Sequence, residues 1–279
     1  MRNCLFLLIS AVFRTCVNGG LLKTGKPLTW TNSLPSLHHV RKHGIIQFIN
    51  RFMAVQDIRN DDLKWGDEVE YGIFQFDEKE KKLRISLNAP EKLEKLNDLE
   101  ASHFHRSEGS AWHPEFGAWM IEGTPRQPYR GFVQDLLRVQ SSMRLRRARI
   151  LSVLSENEMC PTVTLFPRLG ATSDLTYPPS EANNGPIMKS KYLPDSVINP
   201  HPRFGTLAAN IRSRRGSKVD IKVPLFRDRC TYEWNSKNKN SSKMVEMDCS
   251  AFGMGCCCLQ VTFQARDLAE SRYIFDQLA

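Results

Sequence analysis

The chain has 279 residues, enough for one large domain or two modest ones with a substantial core. Its apolar content of 41% and charged content of 25% are those of an ordinary soluble globular protein and exclude nothing within that class. A net charge of +9 implies acidic partners without choosing between nucleotide phosphates, nucleic acid and anionic metabolites.

The opening segment, MRNCLFLLISAVFRTCVNGG, has one early Arg and an apolar run over residues 4–13. That is the size of a signal-peptide core and too short to cross a membrane as a helix. LLKTGKPLTW reads as a loop leading into a helix over residues 37–55, with Val40, Ile45, Ile46, Phe48 and Phe52 as its apolar stripe. KWGDEVEY, residues 64–71, reads as a strand, and EYGIFQFDEKEKKLRISLN as a hairpin around the charged turn 77–82. Residues 89–110 are polar, helix-prone and then loop-like. A long helix is predicted over residues 132–157. Val133, Leu136, Leu137, Met143, Ile150, Leu151 and Leu154 fall mainly on one face of it, and Arg144, Arg146, Arg147 and Arg149 fall elsewhere.

CPTVTLFPRLG reads as a short strand closed by Pro167 and Gly170, and residues 171–200 as an irregular surface excursion. KVDIKVPLF is a strand and NSKNKNSSK a polar insertion. The last segment, DLAESRYIFDQLA, is an amphipathic helix carrying Leu268, Ile274, Phe275 and Leu278, with Asp267 as its N-cap. No stop signal follows it, so the sequence is expected to be cut short.

Candidate chemistry begins with Glu68 and Glu70. In a strand they share a face, with Gly72 leaving open space beside them and Val69, Tyr71 and Ile73 packing on the other side. Adjacent carboxylates repel, burial pushes one towards protonation, and a cation removes the conflict. The plainer alternative is a solvated strand face. Glu115 and Glu122 form a second pair, set among Trp112, Phe116, Trp119, Met120 and Ile121. A tight turn centred on Ala118 and Trp119, or a bulge at Gly117, would bring both acids to one face.

FGMGCCCLQVTFQ, read as one strand over residues 252–264, sends Cys257, Leu259, Val261 and Phe263 one way. Cys256, Cys258, Gln260, Thr262 and Gln264 go the other. Gln260 offers an amide oxygen to a hard cation or a substrate, its alternative being an ordinary hydrogen-bonded sheet residue. Carboxylates and an amide without a His cluster suit Mg²⁺ or Mn²⁺ better than zinc. The eight cysteines include no C-x-x-C pair and read as mostly reduced thiols, which favours the cytosol. Arginine runs such as MRLRRARI and NIRSRRGSK fit phosphates or carboxylates, and equally coat ordinary helices. No P-loop, G-x-G-x-x-G or G-x-S-x-G motif is present.

LKWGDEVEY, PEFGAWMIEGTPRQPY, TLFPRLG, INPHPRF, NIRSRRGSKVDIKVPLF and FGMGCCCLQVTFQA occur in this order between residues 21 and 279. Together they resemble the eukaryotic glutamate–cysteine ligase family, on its catalytic-subunit side. The resemblance implies an α+β fold: a mostly antiparallel curved sheet forming a glutamine synthetase-like funnel with surrounding helices, here truncated. It implies an ATP- and Mg²⁺-dependent ligase that joins the γ-carboxylate of L-glutamate to L-cysteine through a γ-glutamyl phosphate, the first step of glutathione biosynthesis. Glu68, Glu70, Glu115 and Glu122 become metal-facing acids, with Gln260 beside them. Mg²⁺ or Mn²⁺ would bridge ATP phosphates, arginines would stabilise developing charge, and no protein nucleophile is needed.

The implied partners are L-glutamate, L-cysteine, ATP and a regulatory (modifier) subunit, with neither nucleic acid nor membrane, in the cytoplasm. Residues 1–20 form a leader outside the family, expected to be disordered or mispredicted. Residues 21–279 are the N-terminal part of a catalytic domain that continues further in the family, so this chain is expected to be a poor ligase alone. The family has a polar residue where Cys256 stands. The alternative reading is a non-catalytic truncated isoform that binds the regulatory subunit. A nucleic-acid-binding protein, resting only on charge and arginine runs, comes third.

Overall fold

Residues 68–71 alternate charged and apolar side chains, and the segment 64–72 forms the central strand of the largest sheet. The computed structural model describes residues 25–103, 109–171, 173–226, 228–230 and 244–278. Strand β1 (Lys64–Gly72) lies between β5 (Met120–Pro125) and β11 (Leu259–Gln264), antiparallel to both. β4 (Ser110–Pro114) extends the sheet beyond β5, and the two-residue β6 (Tyr129–Arg130) pairs with Lys64 and Trp65. The expected hairpin is present as β2 (Phe74–Asp77) and β3 (Lys82–Ser86). Its turn is held by the Asp77 carboxylate, which accepts from the N–H groups of Lys79 and Glu80 at 3.1 and 3.0 Å. β7 (Glu158–Met159) and β8 (Thr176–Tyr177) flank that hairpin, β8 running parallel to β3. β9 (Ile221–Pro224) and β10 (Met244–Met247) form a third, two-stranded sheet.

The described helices are α1 (Trp30–Val55), α2 (Ala89–His103), α3 (Val133–Ser152), α4 (Pro202–Arg215), α5 (Ala251–Met254) and α6 (Leu268–Leu278). The fold is therefore mixed α+β with mainly antiparallel sheets. α1 starts ahead of the expected residue 37 because the Thr29 hydroxyl caps it, accepting from Asn32 N–H at 3.2 Å. None of its residues is buried, so the stripe of Val40, Ile45, Ile46 and Phe48 lies exposed. α6 begins as expected, with the Asp267 carboxylate accepting from Glu270 N–H at 2.8 Å. Among the described residues, no helix is long and apolar enough to cross a membrane. Residues 1–20 and the NSKNKNSSK segment lie outside the described residues.

Two apolar clusters hold these elements. One, behind the central sheet, joins Tyr71, Ile73, Trp112 and Ile121 to Ala89 and Leu96 of α2 and Ile150 of α3. The other gathers Phe74, Ile85, Phe116, Trp119 and Met120 with Phe166, Leu175, Met188, Leu193, Val197 and Ile198. This second cluster corrects two expectations. CPTVTLFPRLG is not a strand: Pro161 and Pro167 withhold N–H groups, and its carbonyls bond singly, Pro161 accepting from Gly72 and Val163 from Cys257, both at 3.0 Å. Residues 171–200 are mostly irregular, as expected, yet they supply core side chains rather than a surface excursion. Gly72 does not leave open space either, because a Cβ there would stand 2.8 Å from the Phe74 ring. The three adjacent cysteines are not in a strand. They follow α5 in a turn, with Cys257 buried, and the strand begins only at Leu259. All six described cysteines are free.

α3 departs most from its amphipathic reading. Its buried residues are Arg146 and Ile150, while Val133, Leu136, Leu137 and Leu151 are exposed. Guanidinium groups follow acceptors, and the back of the sheet is rich in them. Arg146 donates to the Asp67 carboxylate and to the Gly123 carbonyl at 2.8 Å. Arg147 donates to the Cys160 carbonyl. Arg149 donates to Glu100 at 2.7 Å, and Glu100 also accepts from Trp112 Nε1 at 3.1 Å and Ser110 N–H at 3.2 Å. Removing Glu100 leaves Arg149 only neutral acceptors such as Ser110 Oγ and takes an acceptor from Trp112 Nε1 and Ser110 N–H. Glu100→Ala is expected to cost about 3–5 kcal/mol, read from urea unfolding. A loss below about 1 kcal/mol would show that the network does not hold α2 and α3 to the sheet.

Candidate metal centre

The front face of the central sheet collects the acids. Asp67, Val69 and Tyr71 point towards α2 and α3, so the strand alternation sends Glu68 and Glu70 to the opposite side. Glu70 stands directly across from Glu122 on β5, and Glu68 directly across from Gln260 on β11. β4 ends at Pro114, and a five-residue loop, 115–119, leads into β5. Of the two alternatives weighed for it, the loop shows the turn, closed by Met120 N–H donating to the Gly117 carbonyl at 3.0 Å. It turns at Ala118 and Trp119, and Gly117 makes an isolated bridge to Ile198. A Cβ at Gly117 would meet the Trp119 ring at 2.8 Å and Met120 Sδ at 2.9 Å, so the close turn requires glycine there. The result brings Glu115 within hydrogen-bond reach of Glu122.

Electrostatics express the crowding. Glu122 is pushed up to about 8, first by burial, then by its hydrogen bond to Glu115, then by the charges of Glu68, Glu115 and Glu70. Glu68 is raised by burial, by Glu115 and by Asp67. Burial also raises Glu70, partly offset by donation from Cys258 N–H at 3.0 Å and from Gln260 Nε2 at 3.1 Å. Glu115 accepts from Phe116 N–H at 3.2 Å. The charges that raise these three are those of one another, of Glu115 and of Asp67. Three interior acids elsewhere are ion-paired: Asp67 meets Arg146, Glu100 meets Arg149, and Glu158 meets Lys92 at 3.2 Å.

All four predicted acids and Gln260 thus share one face and one field. Among the described residues, however, no set of three or more His, Cys, Asp or Glu side chains is closed into metal-binding geometry. The donor set itself, carboxylates and an amide, suits a hard divalent ion. Gln260 presents its NH₂ to Glu70, so it orients that carboxylate as well as lining the face. Sequence reasoning missed two neighbours. His113 stands opposite Glu122 in the β4–β5 register, and the Cys258 backbone N–H reaches Glu70. The first was readable once the hairpin register was known; the second depends on a pairing across 188 residues. A groove of about 700 Å³ beneath the N-terminus of α4, lined by Ala118, Ile198, Asn199 and His201 among others, shares none of the acids.

Comparison with known proteins adds a family. A family model described as glutamate–cysteine ligase matches residues 20–279. The glutamate–cysteine ligase catalytic subunits of Rattus norvegicus and Homo sapiens are each 45% identical over 271 residues, covering 93% of this chain and 42% of theirs. The glutamate–cysteine ligase of Dictyostelium discoideum is 41% identical over 285 residues, covering 93% of this chain and 44% of its own. The chain thus spans about 42% of the length of the curated relatives first matched.

Glu122 dictates a pH dependence. Its folded-state pKa lies above the ordinary 4.5, so the folded form holds a proton that the unfolded chain releases. Stability from this group is fully present below about 4.5 and is lost as pH rises through about 8. In chelator, thermal midpoints are expected to fall between pH 5 and 9, and Glu122→Gln is expected to flatten that fall. An unchanged slope in the variant would mean that Glu122 is not the crowded acid.

Proposed function

The chain belongs to the glutamate–cysteine ligase family, and from that premise we propose that its front-face acids are the divalent-cation site of an ATP-dependent ligase. The reaction is the joining of the γ-carboxylate of L-glutamate to the amine of L-cysteine through a γ-glutamyl phosphate, the first step of glutathione biosynthesis. One observation carries this reading. The β1–β5 register and the glycine-dependent turn bring Glu68, Glu70, Glu115 and Glu122 to one face, where burial and neighbouring carboxylates raise Glu68, Glu70 and Glu122. A bound divalent cation would relieve that crowding.

Glu68, Glu70, Glu115 and Glu122 would hold Mg²⁺ or Mn²⁺, with Gln260 beside them. The ion, when bound, supplies neutralisation of phosphate charge during phosphoryl transfer. The chain's own residues supply rigidity. Three of the acids and Gln260 stand on paired strands, and Gln260 Nε2 and Cys258 N–H fix both oxygens of Glu70. Phe116, Trp119 and Met120 pack the loop that carries Glu115 onto the core. Such preorganisation is what electrostatic catalysis requires.

The antiparallel sheet is the start of a glutamine synthetase-like funnel, and residues 21–279 belong to its catalytic domain; the family match beginning at residue 20 supports that boundary. The free cysteines agree with a cytoplasmic protein. The bare apolar stripe of α1 favours a second reading, a binding module for the regulatory subunit.

Mn²⁺ titration of the purified chain, followed by electron paramagnetic resonance, tests the proposal. Saturable binding is expected, weakened about tenfold or more by Glu68→Ala, Glu70→Ala, Glu115→Ala or Glu122→Ala. Binding indifferent to all four would place the cation elsewhere and sink the reading.

A further inference from the structure

We infer that Arg146 is a positioning residue for the carboxylate face: it sets the spacing of β1 and β5, and through it the separation of Glu68 from Glu122. The inference rests on the cation reading above and goes beyond it, because Arg146 lies behind the sheet and touches none of the acids that would hold the ion.

The need for such a residue follows from the register. Pairing of β1 with β5 runs from Gly72–Met120 to Val69–Gly123 and stops there. Continued by two residues, the same register would set Asp67 opposite Pro125. Proline has no N–H to give, so the ladder cannot continue. A Cβ at Gly66 would still stand 3.9 Å from Pro125 Cγ, so the strands remain neighbours without pairing. Further back, Lys64 and Trp65 pair with β6 instead. Glu68 therefore sits beside a stretch where β1 and β5 are not laced together.

Arg146 crosses this gap. It is fully buried, and its guanidinium donates to the Asp67 carboxylate, to the Asp67 carbonyl at 3.5 Å and to the Gly123 carbonyl at 2.8 Å. The Asp67 carbonyl belongs to the peptide that leads into Glu68, and Gly123 directly follows Glu122. The fork thus grips both strands one residue away from each acid. Only a planar, multiply donating cation does this: lysine keeps the charge on a flexible stem but cannot span two strands and a carboxylate with fixed geometry.

The test is Arg146→Lys in the full chain, with Mn²⁺ affinity measured well below the thermal midpoint alongside the melting curve. A purely structural role would lower the midpoint and leave the affinity of the folded population unchanged. The positioning role predicts a cooperative melt with Mn²⁺ affinity weakened about tenfold or more, as for other supports of metal ligands. Should Arg146→Lys lack a cooperative melt, Asp67→Asn carries the test, since it keeps the side-chain shape and removes the charge that seats the fork. A folded variant binding Mn²⁺ like the wild type overturns this inference alone. A wild-type chain that binds no Mn²⁺ overturns the cation reading and this inference with it.

Discussion

The Asp67–Arg146 ion pair seats β1 on α3, and because neighbouring strand residues face opposite ways, it also fixes where Glu68 and Glu70 point. A slip of one residue would turn those acids into the apolar cluster and carry Tyr71 to the front. An ion pair this deeply buried is a poor source of stability by itself, since desolvating both charges offsets much of the attraction. It becomes tolerable here because the guanidinium also meets two backbone carbonyls. Its contribution is to registry more than to stability.

Everything on the front face follows from that orientation. With β1 fixed, the antiparallel register sets Glu122 beside Glu70 and Gln260 beside Glu68, and the glycine-dependent turn returns Glu115 to the same place. A chain of net charge +9 has basic side chains in plenty. Arg146, Arg149 and Lys92 each meet an acid in the interior, while the front face gathers Glu68, Glu70, Glu115 and Glu122. Carboxylates held close repel one another and favour a cation that relieves them. In a member of the glutamate–cysteine ligase family, the proposed role of that cation is to meet the phosphates of ATP.

Much of this face was legible in the primary structure, because it rests on local rules. The E-x-E spacing needs only the two-residue period of a strand, and the Glu115–Glu122 pairing needs only a tight turn near Gly117. The hairpin at 77–82 and the cap at Asp267 are likewise local. What escaped was non-local. Amphipathic patterning counts arginine as exterior, so Arg146 looked solvated; its burial depends on Asp67, 79 residues away, and on a carbonyl of β5. Residues 160–200 carry no helical or strand period, so nothing in them announced that Phe166, Leu193 and Val197 fill a core. The alternating pattern of FGMGCCCLQVTFQ extends over its cysteines, but the α5 turn keeps residues 256–258 out of the strand.

A crystal of the chain grown with Mn²⁺, with diffraction recorded at the manganese absorption edge, tests the central claim most directly. The account predicts an anomalous peak in front of the sheet, bounded by carboxylate oxygens of Glu68, Glu70, Glu115 and Glu122. A well-ordered front face with no peak, or a peak confined to other side chains, would contradict it.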